Sequence, residues 1–515
     1  MADLLLEPDY VLLGADAPRL VPGLAVHVAG DRIAAVGAPE QLAAAGSERL
    51  RLAGQVLMPG LVNAHQHGRG ITALQLGFED DYLEPWMAFK RRRQQLDPYL
   101  QTLYASLAML ANGVTGAIHA NTVGGGTSYP AEVEAQLQAY MDAGLRVMFG
   151  VGAMDRAQLA YPPDAQDAVL AGLPAPLRDK LGDVTRPVYC DGIDASLAFM
   201  ADLRARFARH ERISLAWSPA GPQWVSDALL AALASDADRH GTPIHMHVLE
   251  SSAQIDAVNA VWPEGLMRHL EKLGALGPLT SFAHAVWLTA EDAAIGAQHG
   301  VTIVRNPASN LRLHAGIAPL AHYVQAGLRV ALGSDNTTLN DDEDLFTEAR
   351  LARALTRSPA WEAPPALDVP TLWAMMSANG AHAMGRGAQA GEIAPGRLAD
   401  LVALDLAHVR APYIDPDLDP LAALLGRARG ADVRLTMVGG DILYRDGRFP
   451  QHDLAAIKER CRRDGMRAKA APAALTRAEA DILNDHLRAH YARLRAEHRD
   501  LARPPLATPS GWSQP

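Results

Sequence analysis

Six of the 19 histidines in this 515-residue chain, His65, His67, His119, His245, His247 and His284, fall at or beside the ends of short apolar runs. His65-Gln66-His67 places two imidazoles two residues apart, and in an extended strand such residues share a face. Two imidazoles on one face can bind one metal ion. A His-x-His alone is weak evidence, but this one follows an apolar run and the turn Met58-Pro59-Gly60. In His245-Met246-His247 either ring could be a ligand. His247 is preferred, because Glu250 stands three residues beyond it, where its carboxyl group would sit above a bound metal as an acid/base group. His245 is then either a packed, hydrogen-bonded core residue or a support for a ligand. Ala283-His284-Ala285 and Gly333-Ser334-Asp335-Asn336 end two further runs with an imidazole and a carboxylate.

These residues need a frame that gathers them, and the periodicity supplies one. Eight strand candidates, Val56 to Val62, Val114 to His119, Leu145 to Val151, Ile213 to Ser218, Pro243 to Val248, Thr280 to His284, Val301 to Arg305 and Arg329 to Ser334, alternate with stretches of helical spacing. Eight β-then-α units predict an α/β protein with a (β/α)8 TIM barrel over 56–384, and the histidines then lie at the C-terminal strand ends, where such barrels carry their sites. Closure sets the eighth strand beside the first, so His65, His67, His247 and Asp335 form one ligand set. Short strands before residue 55 and again between 400 and 445 predict a small discontinuous β-sandwich domain from 1–55 and 385–450. Residues 451–515 read as a C-terminal helical extension, helical over 453–467 and 476–499, with a loose tail from Pro504.

Composition narrows the class. With 49% hydrophobic and 20% charged residues the chain can bury a large core, and 47 basic against 58 acidic side chains give a net charge of −11. Nucleic-acid binding, which needs a basic footprint, is not expected. Two cysteines, Cys190 and Cys461, make no disulfide framework, so a cytoplasmic location is expected. The acidic N-terminal segment does not read as a signal peptide, and no run of 18 apolar residues suggests a membrane span.

The stretches Met58-Pro59-Gly60-Leu61-Val62-Asn63-Ala64-His65-Gln66-His67, His247-Val248-Leu249-Glu250, Ala283-His284, Asn306 to Leu313, Gly333-Ser334-Asp335 and Gly396 to Val402 together resemble the amidohydrolase superfamily. The resemblance runs from about residue 10 to about 450. Its subgroup is that of metal-dependent aminohydrolases, including cytosine, guanine and S-adenosylhomocysteine deaminases and triazine hydrolases. It implies His65, His67, His247 and Asp335 as metal ligands, Glu250 as proton shuttle, and His284 as a helper that orients water or substrate. Some relatives bridge two metals with a carboxylated lysine, but none of the five lysines here lies at a barrel strand end. One divalent metal is expected, zinc first and iron the alternative. The implied reaction is deamination of an amino-substituted pyrimidine, purine, pterin or triazine, with attack of metal-bound hydroxide on a C–N carbon and release of ammonia. Amide or cyclic-amide hydrolysis and a non-catalytic scaffold are the alternatives. The long segment Gly152 to Asp191 and the C-terminal helices depart from the family pattern.

Four further residues are candidates for contact with a small-molecule substrate: Gln75 and Trp86 in the first loop, His119 after the second strand and Gln223 after the fourth. Trp86 reads either as loop packing or as a stacking wall for a flat ring. Asn306 and Asn310 read as turn formers. Glu79, Asp80, Asp81 and Glu84 in the first loop and Asp341, Asp342, Glu343 and Asp344 in the eighth suggest a negative mouth favouring a cationic substrate, or else acids placed at helix N-termini. A homo-oligomer is compatible with the sequence.

Overall fold

The computed structural model describes residues 3–15, 17–42, 47–90, 96–122, 128–156, 159–162, 164–184, 189–357 and 365–497. The tail expected from Pro504 and the last residues of the helix expected over 476–499 lie outside them. Five strands open the chain: β1 (Asp3–Leu13), β2 (Arg19–Pro22), β3 (Ala25–Ala29), β4 (Arg32–Gly37) and β5 (Glu48–Pro59). Eight parallel strands follow: β6 (Leu61–Gln66), β7 (Val114–Ala120), β8 (Arg146–Ala153), β9 (Ile213–Pro219), β10 (Ile244–Val248), β11 (Thr280–His284), β12 (Thr302–Arg305) and β13 (Arg329–Leu332). They pair in sequence order. Every residue of β6, β7 and β8 is buried, as expected when helices cover one face of a parallel sheet and the barrel interior covers the other.

The expected strand Val56 to Val62 divides in two. Val56–Pro59 belongs to β5, which pairs antiparallel with β14 (Leu401–Asp405), and the first barrel strand begins at Leu61. A continuous apolar run conceals the corner between them, because both pieces are buried. β14, β15 (Val433–Val438) and β16 (Asp441–Arg445) join β1 to β5 in a single eight-stranded sheet. That sheet wraps around one core, in which Leu4, Leu6, Val26, Val28, Leu50 and Leu52 meet Leu401, Ala403, Leu435 and Met437. Arg146 of β8 ties it to the barrel through Asp400, with contacts of 2.7 and 2.9 Å between buried groups.

The barrel interior is filled from below by small side chains, with Val62, Ala64, Ile118, Ala216 and Ala331 packed on Ala381, Ala383 and Met384. The helix Ala378–Ala383 plugs that end, and the histidines stand in the layer above. Helix ends follow the sequence closely: Asp97 caps Pro98–Ala111 by accepting from Leu100 N, and Thr289 with Asp292 forms a capping box on Ala290–Gln298.

The two departures from the family pattern pack on each other. The 152–191 segment contains the helices Ala165–Ala171 and Ala175–Val184, and the C-terminal extension contains Leu454–Ala470 and Arg477–Glu497. Leu159, Val169, Leu173, Leu177 and Leu181 share one core with Leu475, Leu483 and Leu487. No helix among the described residues is long and apolar enough to cross a membrane.

Candidate active site

β13 and β6 share no ladder, and the seam between them is closed by the site itself. Asp335 N donates to His65 O at 2.9 Å, and Ser334 N donates to Asn63 Oδ1 at 3.0 Å. The backbone bends sharply at the strand ends around the site. Leu249, His284, Ala285, Asp335 and Asn336 all have positive φ, a left-handed conformation that non-glycine residues rarely adopt outside sites that require it.

The imidazoles are aimed by their far nitrogens. His67 Nδ1 lies 2.6 Å from Ala120 O and His247 Nδ1 lies 2.9 Å from Ala220 O, so both rings carry the proton on Nδ1 and turn a bare Nε2 inward. His65 Nδ1 is 2.8 Å from His245 Nε2, and His245 Nδ1 is 2.7 Å from Ser281 Oγ. His245 therefore supports His65, one of its two sequence readings. The inward atoms converge: His67 Nε2 is 2.9 Å and His65 Nε2 is 3.5 Å from Asp335 Oδ1, and His247 Nε2 is 3.4 Å from His67 Nε2. Ser309 Oγ holds the other oxygen, Asp335 Oδ2, at 2.6 Å.

Potential ligand atoms of His65, His67 and Asp335 lie within 4.8 Å of one another, as do those of His65, His247 and His284. His65 Nε2 and Asp335 Oδ1 are buried without a hydrogen-bond partner, and two bare imidazole nitrogens face each other. Such a donor set fits a divalent cation, which would satisfy all of them at once. Burial lowers the pKa of His67 and brings that of His247 down to about 3, keeping both rings neutral. Glu250 goes the other way: burial, Asp335 and Glu84 push its pKa well up.

Glu250 Oε1 is 3.6 Å from His284 Nδ1. The Asn310 amide nitrogen is 2.9 Å from the same Nδ1, and Asn310 Oδ1 accepts from Arg305 Nη2 at 2.8 Å. Asn310 thus fixes His284 as well as its own turn. The wall beside Glu250 is drawn from three distant segments. Glu84 is buried and accepts hydrogen bonds from Tyr161 of the 152–191 segment and from Ser251. The C-terminal helix closes over it, with Tyr491 packed 5.2 Å from Tyr161 and Arg495 2.9 Å from Asp256.

The four substrate candidates divide. His119 is buried, stacked 4.6 Å from Phe149, with Nδ1 2.8 Å from Tyr140 Oη. Gln223 is buried in the turn after Ala220, the residue that anchors His247, and its Nε2 has no partner. Trp86 is buried against Leu83 and Leu313. Gln75 is not brought to the cluster: it is exposed, its Oε1 accepts from Thr72 N at 2.9 Å, and it lines a separate cavity of about 660 Å³ with Tyr104, Cys461 and Met466. Much of the acidic mouth is partnered. Asp80 and Asp341 both hold Arg312, Asp81 holds Arg488, and Asp344 caps the helix Leu345–Leu355.

A sequence profile of the amidohydrolase family matches residues 56–443. The chain belongs to the amidohydrolase family. This amidohydrolase is 32% identical over 479 residues to a 5-methylthioadenosine/S-adenosylhomocysteine deaminase of Syntrophobacter fumaroxidans, covering 90% of this chain and 97% of the relative. It is 30% identical over 400 residues to a 5'-deoxyadenosine deaminase of Methanothermobacter thermautotrophicus, covering 76% of this chain and 83% of the relative. Among solved structures, an adenosine deaminase from Xanthomonas campestris with bound zinc superposes with a TM-score of 0.77 at 25% identity, covering 91% of this chain and 99% of that one. An atrazine chlorohydrolase of Arthrobacter aurescens TC1 complexed with zinc shares the fold, with a TM-score of 0.75 at 21% identity over 90% of this amidohydrolase and 100% of that chain. The sequence reading missed Glu84 as a buried hydrogen-bond acceptor, Tyr161 and Ser251, which meet only in the fold.

Proposed function

We propose that this amidohydrolase is a metal-dependent aminohydrolase that deaminates an amino-substituted nitrogen heterocycle and releases ammonia. The observation that carries the reading is the convergence of imidazole nitrogens of His65, His67 and His247 and the Asp335 carboxylate on a buried point, beside a second carboxyl group, Glu250, whose pKa burial pushes well up. The relatives' names, all deaminases of adenosine derivatives, support the reaction type. A divalent cation, zinc first, held by His65, His67, His247 and Asp335, would supply Lewis acidity and bring a water's pKa from 15.7 down to ~7. The neighbour with bound zinc supports that choice.

The chain's own residues supply the proton handling. Asp335, oriented by Ser309 Oγ on its Oδ2 at 2.6 Å, accepts the proton of the attacking water. Glu250 carries a proton to a ring nitrogen beside the C–N carbon and makes that carbon more electrophilic. The proton taken by Asp335 then goes to the leaving amine, and the second proton of the added water returns to Glu250 as the C=O bond forms and ammonia departs. His284, fixed by Asn310, hydrogen-bonds the attacking oxygen. Gln223 and His119 flank the ring. Two free cysteines support a reducing, cytoplasmic setting.

The test is metal analysis of the purified protein followed by an ammonia-release screen over aminopurines, aminopyrimidines, aminopterins and aminotriazines. Glu250→Gln is expected to retain the metal and lose ~10²-fold or more in turnover, the usual scale for a lost acid/base group. Near-normal turnover in that variant would remove Glu250 from the mechanism. Amide cleavage without ammonia would favour the cyclic-amide alternative, and unchanged function without metal would favour the scaffold.

A further inference from the structure

Arg305, the last residue of β12, is 2% exposed, and its backbone pairs with Leu332 of β13. Among the described residues its Nε and Nη1 meet no hydrogen-bond partner, while Nη2 donates to Asn310 Oδ1 at 2.8 Å. A guanidinium buried in this way is costly, and an apolar side chain would fill the position without that cost. The bond to Asn310 is therefore where the reason for this arginine lies.

A guanidinium only donates. The Asn310 oxygen must face Arg305, which turns the amide nitrogen the other way, to within 2.9 Å of His284 Nδ1. Asn310 is 1% exposed, and its backbone is held at both ends: its N–H donates to Asn306 O at 3.0 Å and its carbonyl accepts from Ala315 N at 2.8 Å. An amide nitrogen also only donates, so His284 Nδ1 accepts and carries no proton. Burial keeps this ring neutral, and a neutral imidazole has one proton, which here lies on Nε2. Asn306 also reaches Nδ1, at 3.3 Å, through its nitrogen or, with its amide turned to donate to Gly333 O, through its oxygen. The Asn310 contact is shorter and its direction is set by a cation, so it decides the tautomer.

This is the reverse of the arrangement at the ligand histidines. His67 and His247 turn Nδ1 to carbonyl oxygens, which leaves Nε2 bare. His284 turns Nδ1 to an amide N–H, which leaves a proton on Nε2. Yet its ring lies 5.2 Å from that of His65 and stacks 5.5 Å from that of His247, and by distance alone it could join them as a ligand. We propose that Arg305 and Asn310 are positioning residues that fix His284 as the Nε2–H tautomer, so that it donates to the attacking oxygen and stays out of the metal's ligand set. The proposal rests on the aminohydrolase reading above. It also suits Glu250, whose Oε1 is 3.6 Å from the same Nδ1: a nitrogen without a proton draws no negative charge onto that carboxyl group.

Asn310→Asp tests the relay with almost no change of shape. A carboxylate only accepts, so it would keep Arg305 and draw the His284 proton onto Nδ1. In the full-length protein with zinc added and the histidine rings isotope-labelled at nitrogen, long-range proton–nitrogen NMR reads the tautomer. The His284 signal is identified by its loss in His284→Gln. Wild type is expected to show Nε2–H and a bare Nδ1, and Asn310→Asp a protonated Nδ1. On a ring that wild type deaminates, Asn310→Asp is expected to lose ~10²-fold or more in kcat with KM changed less than ~3-fold, because a misplaced proton harms the chemical step and not binding. Arg305→Met, the second variant should Asn310→Asp not fold, frees the amide to turn and is expected to protonate Nδ1 in part of the population. A protonated Nδ1 in wild type, a wholly bare Nδ1 in the variant, or wild-type kcat in a variant whose tautomer has changed would overturn the proposal. No ammonia from any ring in wild type would instead overturn the aminohydrolase reading, while the NMR result still decides the tautomer.

Discussion

Glu343 is where ionisation beside the site is expected to register in stability. The residue is 6% exposed and accepts from Ser334 Oγ and, at 3.0 Å, from Asn336 Nδ2. Burial, opposed by those two bonds and assisted by Asp342 and Asp335, pushes its pKa from 4.5 up to about 7. At ~1.36 kcal/mol per pKa unit, that rise is worth about 3 kcal/mol. The folded pKa is the higher one, so the folded protein holds the proton more tightly than the unfolded chain does. The contribution is complete below the unfolded value and is lost as pH rises through about 7. Glu343→Gln keeps the shape and removes the ionisation. Its stability relative to wild type is therefore expected to improve by about 3 kcal/mol between pH 4.5 and 8.5. Unfolding entropy of about 2.1 cal/mol/K per residue gives ~1.1 kcal/mol/K for the whole chain, so the gap between the two Tm values widens by about 3 °C. Thermal melts of both metal-free proteins at the two pH values measure it, the metal being removed because its charge would act on the same carboxyl group. A Tm difference that does not change with pH would refute the assignment of a neutral Glu343 beneath Asn336.

Two shorter predictions bear on the other supports of the site. His245→Phe removes the partner of His65 Nδ1 and is expected to weaken metal binding ~10- to ~100-fold, read by competition with a chromophoric chelator; unchanged affinity would show that His65 is aimed by packing alone. Leu487→Ala empties a fully buried position in the core shared by the 152–191 segment and the C-terminal helix, and is expected to cost about 2–5 kcal/mol. Denaturant unfolding and proteolysis within 165–184 would detect it, and a variant as stable and resistant as wild type would mean that the two segments do not stabilise each other.

What the sequence revealed follows from the range of each signal. Strand β11 was predicted to the residue and the other barrel strands after the first mostly to within two, because a buried parallel strand is a short apolar run whose ends are marked by polar chemistry. That His65, His67, His247 and Asp335 come together was legible because barrel topology decides which strand ends meet. Contacts between loops carry no such period. Nothing near Asp80, Asp81 or Asp341 in sequence announces Arg312 or Arg488, so the mouth read as negative when much of it is neutralised. Glu84, Tyr161 and Ser251 are unremarkable singly, and only the fold brings them to one point. Gln75 shows the converse error: proximity in sequence to the first strand does not place a side chain over the barrel when its loop turns towards the helix Leu454–Ala470.

The same residues serve closure and chemistry, and this bears on why the site is built as it is. The bond from Asp335 N to His65 O and that from Ser334 N to Asn63 Oδ1 join the last strand to the first where no ladder exists. Asp335 and Asn336 adopt left-handed backbone there, and His284 does so at the end of β11, a conformation costing of order 1 kcal/mol or more at each non-glycine position. A barrel selected for stability alone would be expected to replace them with glycine, which adopts that conformation freely. Glycine would remove the carboxylate at 335, the imidazole at 284, and the amide at 336 that holds the backbone of both His67 and Arg69. On the proposed mechanism the strain is tolerated because each of these side chains has a task at the centre, and the seam of the barrel fixes the geometry of Asp335 and Asn336.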